Sequence, residues 1–154
     1  MSFDLSVFSN KNIILAVTGG IAAYKSAILV RRLKDFGFNV RVVMTQGAQA
    51  FITPLTFQAL SGNPVHTELL DTEAEAGMGH IELARWADLV LVAPASCDTL
   101  AKFAAGLADD LAGFAGLQSI VPSLRGDDLF ALTSPLFEQA ETLADFRKTL
   151  AIRL

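Results

Sequence analysis

NIILAVTGGIAAYKSAILVRRLKDFGFNVRVVM, residues Asn12 to Met44, decides the fold. Asn12 to Val17 is a short apolar run that stops at Thr18-Gly19-Gly20, as a strand buried on both faces does when it ends in a loop. Ile21 to Phe36 reads as a helix. Ile21, Tyr24, Ile28, Leu29 and Leu33 recur at steps of three and four and mark its apolar stripe, while Lys25, Arg31, Arg32 and Lys34 fall mainly on the remaining, solvated surface. Gly37 stops this helix, and Val40 to Met44 forms the second strand. Strand, glycine turn, helix and strand within 33 residues make a βαβ unit, whose right-handed crossover sets the strands parallel.

The pattern continues outward. Thr53 is placed to cap a helix that has Pro54 at its first position and ends at Ser61-Gly62-Asn63-Pro64. Gly77-Met78-Gly79 leads into a short helix, His80 to Ala87, followed by a third buried strand, Leu89 to Ala93, and a helix from Cys97 to Leu107. Further on, Ser119 to Leu124 reads as a short strand, Arg125 to Asp128 as a polar turn, and Ser134 onward as a helix. That last helix has Pro135 at its first position and Leu136, Phe137, Ala140, Leu143 and Leu150 on one stripe. Alternating strands and helices predict a three-layer α/β domain with ligand chemistry at the carboxyl ends of the strands.

With 154 residues and 16.4 kDa, the chain is read as one domain over residues 1–154. Apolar residues at 52% against 18% charged, with a mean hydropathy of +0.44, predict a dense core. Twelve basic against 16 acidic residues, net −4, argue against a footprint for nucleic acid or anionic lipid. Cys97 is the single cysteine, which excludes an intramolecular disulfide and a multi-cysteine zinc site and points to the cytoplasm. The best apolar run, Leu89 to Ala95, is interrupted by Pro94 and is far too short to span a bilayer, and Met1 to Asn10 carries Asp4 in place of a basic leader. The apolar surplus is then expected at an oligomer interface.

Three polar loops are predicted to meet at one sheet edge. Thr18 to Ala22 follows a strand and opens a helix, so its backbone N–H groups suit an anion such as phosphate; a tight strand-to-helix turn is the plainer reading. The spacing is not G-x-G-x-x-G, and Thr45-Gln46 stands where a nicotinamide site places an acid for the ribose. Pro94 to Thr99 adds small polar residues, among which Ser96 or Cys97 equally suits a helix cap. Together the loops describe a cleft with a phosphate end and a planar end. His80, at a helix start, is kept neutral by the dipole and able to accept a proton, or is an ordinary structural histidine. His66 reads as a loop residue and Cys97 as a small buried side chain.

Four segments carry a family resemblance: TGGIAAYK (Thr18 to Lys25), VVMTQGAQAFITPLTFQALSGNPV (Val42 to Val65), GMGHIELARWADLVLVAPAS (Gly77 to Ser96) and AKFAAGLADDL (Ala101 to Leu111). Over Lys11 to Leu111 the chain resembles the homo-oligomeric flavin-containing cysteine decarboxylases, in particular the phosphopantothenoylcysteine decarboxylases of coenzyme A biosynthesis. The resemblance implies a Rossmann-like, flavodoxin-like parallel sheet of the flavoprotein fold. It implies FMN held by Gly19, Gly20, Ile21, Ala22, Thr45, Phe51, Ser96 and Thr99, with His80 as active-site histidine. Asp98 stands where the family commonly has Asn. The implied reaction converts 4'-phospho-N-pantothenoylcysteine to 4'-phosphopantetheine by oxidation next to sulfur with FMN as acceptor, loss of CO2, and return of the electrons. Trimers or multiples of trimers, alone or with a complete relative, are the implied assembly.

Residues 112–154 depart from that pattern. Relatives continue with a P-x-M-N-x-x-M motif, whose asparagine grips the substrate carboxylate, and a flap with a cysteine for the reductive half-reaction. This chain has no Asn after Asn63, no Met after Met78 and no Cys after Cys97. Three readings follow: a sequence altered or truncated after Leu111, a natural variant that binds flavin without completing turnover, or one subunit of a mixed oligomer. The alternative function is thus an FMN-binding, catalytically incomplete subunit or interaction module.

Overall fold

The computed structural model describes residues 10–67, 80–105 and 129–133. Their elements are β1 (Asn12–Val17), α1 (Ala23–Asp35), β2 (Asn39–Met44), a 3-10 turn (Gly47–Ala50), α2 (Pro54–Ser61), α3 (His80–Trp86), β3 (Leu89–Ala95), α4 (Cys97–Ala105) and β4 (Leu129–Thr133). The expected Gly77-Met78-Gly79 loop, the Ser119–Leu124 strand, the Arg125–Asp128 turn and the helix from Ser134 lie outside the described residues.

All three strand pairings are parallel, in the order β2-β1-β3-β4. β1 is central: Ile13 to Val17 are buried throughout, because both faces of the sheet are covered. Successive side chains point to opposite faces. Ile13, Leu15 and Val17 join Val40, Val42, Met44 and Leu91 in a core closed by Leu29, Val30 and Leu33 of α1 and Phe57 of α2. Ile14, Ala16, Val43, Val90 and Val92 face the other way, against Leu83 of α3. Helices on both faces of a parallel sheet make the three-layer α/β fold that the sequence predicts.

α1 buries only part of the apolar stripe that the sequence suggests: Leu29 and Leu33 enter the core as expected, and the rest of the stripe does not. Its buried residues are Ala23, Ser26, Leu29, Val30 and Leu33, whereas Ile21, Tyr24 and Ile28 are 63%, 52% and 55% exposed. Small side chains let the helix approach the sheet closely, and the Ser26 hydroxyl donates to the Ala93 carbonyl at 2.7 Å. The helix stops at Gly37, whose φ of +86° is the left-handed conformation glycine adopts most readily.

His66 is not a loop residue. It is buried and pairs with the outer edge of β2, donating its N–H to Val42 O at 3.0 Å and accepting from Met44 N at 2.8 Å.

Candidate functional site

In an open parallel sheet, the crevice for a ligand opens where neighbouring connections leave on opposite faces. Here that point is the carboxyl edge of β1 and β3. α1, which follows β1, packs on one face; α4, which follows β3, sets Leu100 against the other.

Three loops converge there. Thr45 N–H donates to Val17 O at 3.0 Å, joining the loop after β2 to the end of β1. A Cβ on Gly19 would lie 3.1 Å from the Gly47 carbonyl carbon, so the first two loops run in direct backbone contact. The third loop is joined through Thr18, which is wholly buried. Its hydroxyl donates to Pro94 O and accepts from Ser96 N–H at 2.8 Å.

The first loop makes a tight turn before α1 begins, with Ala23 N–H donating to Gly20 O at 3.0 Å. The helix therefore starts at Ala23, two residues later than the sequence suggests. Among the described residues, the N–H groups of Gly19, Gly20, Ile21 and Ala22 find no backbone acceptor. Four free donors beside a helix N-terminus form a cradle of partial positive charge suited to a phosphate group. Ala22 is buried, so it can offer a ligand little besides its main chain.

Thr45 is half-buried, and its hydroxyl accepts from Ala48 N–H at 3.2 Å, capping the 3-10 turn. Phe51, at the end of that turn, is 51% exposed and offers an aromatic face at the rim. Ser96 takes the N-cap position of α4: its hydroxyl accepts Thr99 N–H at 3.1 Å and lies 2.9 Å from the Thr99 hydroxyl. Thr99 is buried and supports Ser96 from within. Of the two expected cap candidates, Ser96 fills the role. Cys97, expected to be buried, is exposed, because the inward face of α4 begins with Thr99 and Leu100. Asp98 pairs with Lys102 one turn on, at 3.2 Å, with its own side chain 75% exposed.

Thr53 stands at the N-cap position of α2 but makes no side-chain cap bond; its hydroxyl meets that of Thr56 at 3.2 Å. His80 is the first residue of α3, as the sequence predicts. Its side chain, and with it the expected proton acceptor, lies outside the described residues. Sequence reasoning missed Thr18 as the residue that joins two of the loops. Its signal was its place, a hydroxyl directly after a strand buried on both faces. No group of three or more His, Cys, Asp or Glu side chains able to hold a metal occurs among the described residues.

A family model described as Flavoprotein matches residues 5–119. The coenzyme A biosynthesis bifunctional protein CoaBC of Escherichia coli is 62% identical over 103 residues, covering 67% of this chain and 25% of that protein. Its namesake in Bacillus subtilis is 45% identical over 105 residues, 68% of this chain and 26% of the relative. The chain thus spans about a quarter of the length of these curated relatives. Among solved structures, a PPC decarboxylase mutant superimposes with a TM-score of 0.59 at 29% identity, covering 79% of this chain and 69% of that one. Since the family pattern runs through all three loops of the crevice and both faces of the sheet beneath them, this chain belongs to the flavoprotein family.

Proposed function

We propose that this chain binds FMN at the β1/β3 crevice and serves the decarboxylation of 4'-phospho-N-pantothenoylcysteine to 4'-phosphopantetheine in coenzyme A biosynthesis, in the cytoplasm. The observation that carries the cofactor reading is the set of free amides from Gly19 to Ala22. These donors suit a dianionic phosphate monoester, and the glycine spacing and Thr45-Gln46 suit FMN better than a dinucleotide. Thr45 and Ser96 supply hydroxyls around the crevice, Thr99 holds Ser96 from behind, and Ile21 and Phe51 supply apolar surface for a planar ring. FMN, when bound, supplies a two-electron acceptor for the carbon next to sulfur. His80, the first residue of α3, holds or takes the substrate proton at the outset.

A second reading is favoured by a specific observation: no Asn follows Asn63 and no Cys follows Cys97. In that reading the chain binds FMN as an incomplete subunit, and a complete relative supplies the carboxylate grip and the reducing thiol. Self-assembly into trimers is part of either reading, supported by the exposed apolar stripe of α1.

The test is to titrate FMN into the full 154-residue chain and then add the phosphorylated cysteine conjugate. Flavin quenching with CO2 release supports the enzyme. Quenching without CO2, restored on adding a complete relative whose own histidine is disabled, supports the incomplete subunit. A folded protein that leaves flavin fluorescence unchanged overturns both.

A further inference from the structure

Thr18 is wholly buried at the end of β1, and both functions of its hydroxyl are already spent on the third loop. A hydroxyl has one proton to give. Thr18 gives it to the Pro94 carbonyl, while its oxygen accepts the Ser96 N–H at 2.8 Å; its main-chain N–H also approaches Pro94 O, at 3.3 Å. Ser96 in turn binds the first turn of α4 through Thr99. A continuous chain of hydrogen bonds therefore runs from the end of β1, through Thr18 and Ser96, to the start of α4. The free amides of the first loop begin at the next residue, Gly19.

The geometry points to Thr18 as a positioning residue for the cofactor: it touches no ligand, and it fixes the separation between the amides of Gly19 to Ala22 and the hydroxyl of Ser96. The inference rests on the FMN reading above. Its physical basis is that two groups of donors on separate loops bind one ligand tightly only if their spacing is set before the ligand arrives. Serine keeps the hydroxyl that does this; valine keeps the shape and loses it. Ser26 provides the contrast, since its buried hydroxyl bonds the same strand, at Ala93 O, 2.7 Å away, without bridging the two loops.

The experiment compares flavin fluorescence quenching in full-length wild type, Thr18→Val, Thr18→Ser and Ser26→Ala, at a temperature where each is folded by circular dichroism. Thr18→Val removes both hydroxyl bonds to the third loop and is expected to weaken FMN by about tenfold or more, since the loops are no longer held at the bound spacing. Thr18→Ser should stay within about threefold of wild type, and Ser26→Ala should lower the melting temperature with little change in FMN affinity. Equal weakening by Thr18→Val and Ser26→Ala would show only general loosening and overturns the inference, as does a Thr18→Val protein that binds like wild type. Amide exchange in the wild type gives a measurement independent of whether the valine variant folds. The Ser96 N–H should be protected, more so with FMN, and free exchange at that amide in folded protein overturns the inference. A wild type that does not quench flavin overturns the cofactor reading and this inference together, whereas quenching by wild type and valine variant alike overturns this inference alone.

Discussion

At Gly19 a methyl group would sit 3.1 Å from the carbonyl carbon of Gly47 and 3.3 Å from its oxygen, so the two backbones and not a side chain would have to yield. Gly19→Ala should therefore cost about 1–3 kcal/mol, read as a lower urea midpoint with an unchanged slope. The sequence shows a glycine in a loop but not which neighbour demands it, because Gly47 is 28 positions away. Ser96 and Thr53 illustrate the same limit. Both precede helices and both have cap chemistry, yet Ser96 bonds Thr99 N–H whereas Thr53 bonds only the Thr56 hydroxyl. Ser96→Ala should accordingly destabilise by about 1 kcal/mol and Thr53→Ala by about a few tenths; comparing the two denaturation midpoints checks the difference.

Among the elements, β1 was legible to the residue, since a continuous apolar run ending in Thr-Gly-Gly has few other readings. Replacing Leu15, fully buried at its centre, by Ala should cost about 2–5 kcal/mol in the same measurement. α1 was legible as a helix and only in part in its orientation, since Leu29 and Leu33 of the expected stripe are buried. Periodicity shows that apolar residues share a side; close packing on a sheet favours Ala23, Ser26 and Val30 over the bulkier Ile21, Tyr24 and Ile28. β4, Leu129–Thr133, escaped notice because five residues between polar stretches carry too little period to separate strand from loop. α2 is anchored at its far end by Lys34 of α1, whose Nζ donates to Leu60 O at 3.1 Å and Ser61 O at 3.0 Å. The three polar loops were legible as a cluster because parallel topology brings strand ends together. Their bridging by Thr18 was not, since it spans 78 positions to Ser96.

At the scale of the whole molecule, large apolar side chains left in water call for a covering surface. Ile21, Tyr24, Ile28, Phe51 and Leu55 are all more than half exposed; Tyr24 and Ile28 lie one turn apart on the outer side of α1, and Ile21 lies just before it. Ile28→Glu should leave the melting of the subunit nearly unchanged, because the residue takes no part in its core, while shifting the sedimentation coefficient toward a single chain. An unaltered sedimentation profile would remove α1 from the contact between copies.

The strand order has a consequence for synthesis on the ribosome. β1 is made well before β3, its partner on one side, which begins only at Leu89. Until β3 emerges, the middle of the finished sheet is a bare, apolar rim able to capture a neighbouring nascent chain. Arrested products released before Leu89 should therefore precipitate or associate with chaperones more than those released after Thr133, where β3 covers β1 and β4 covers the other edge of β3.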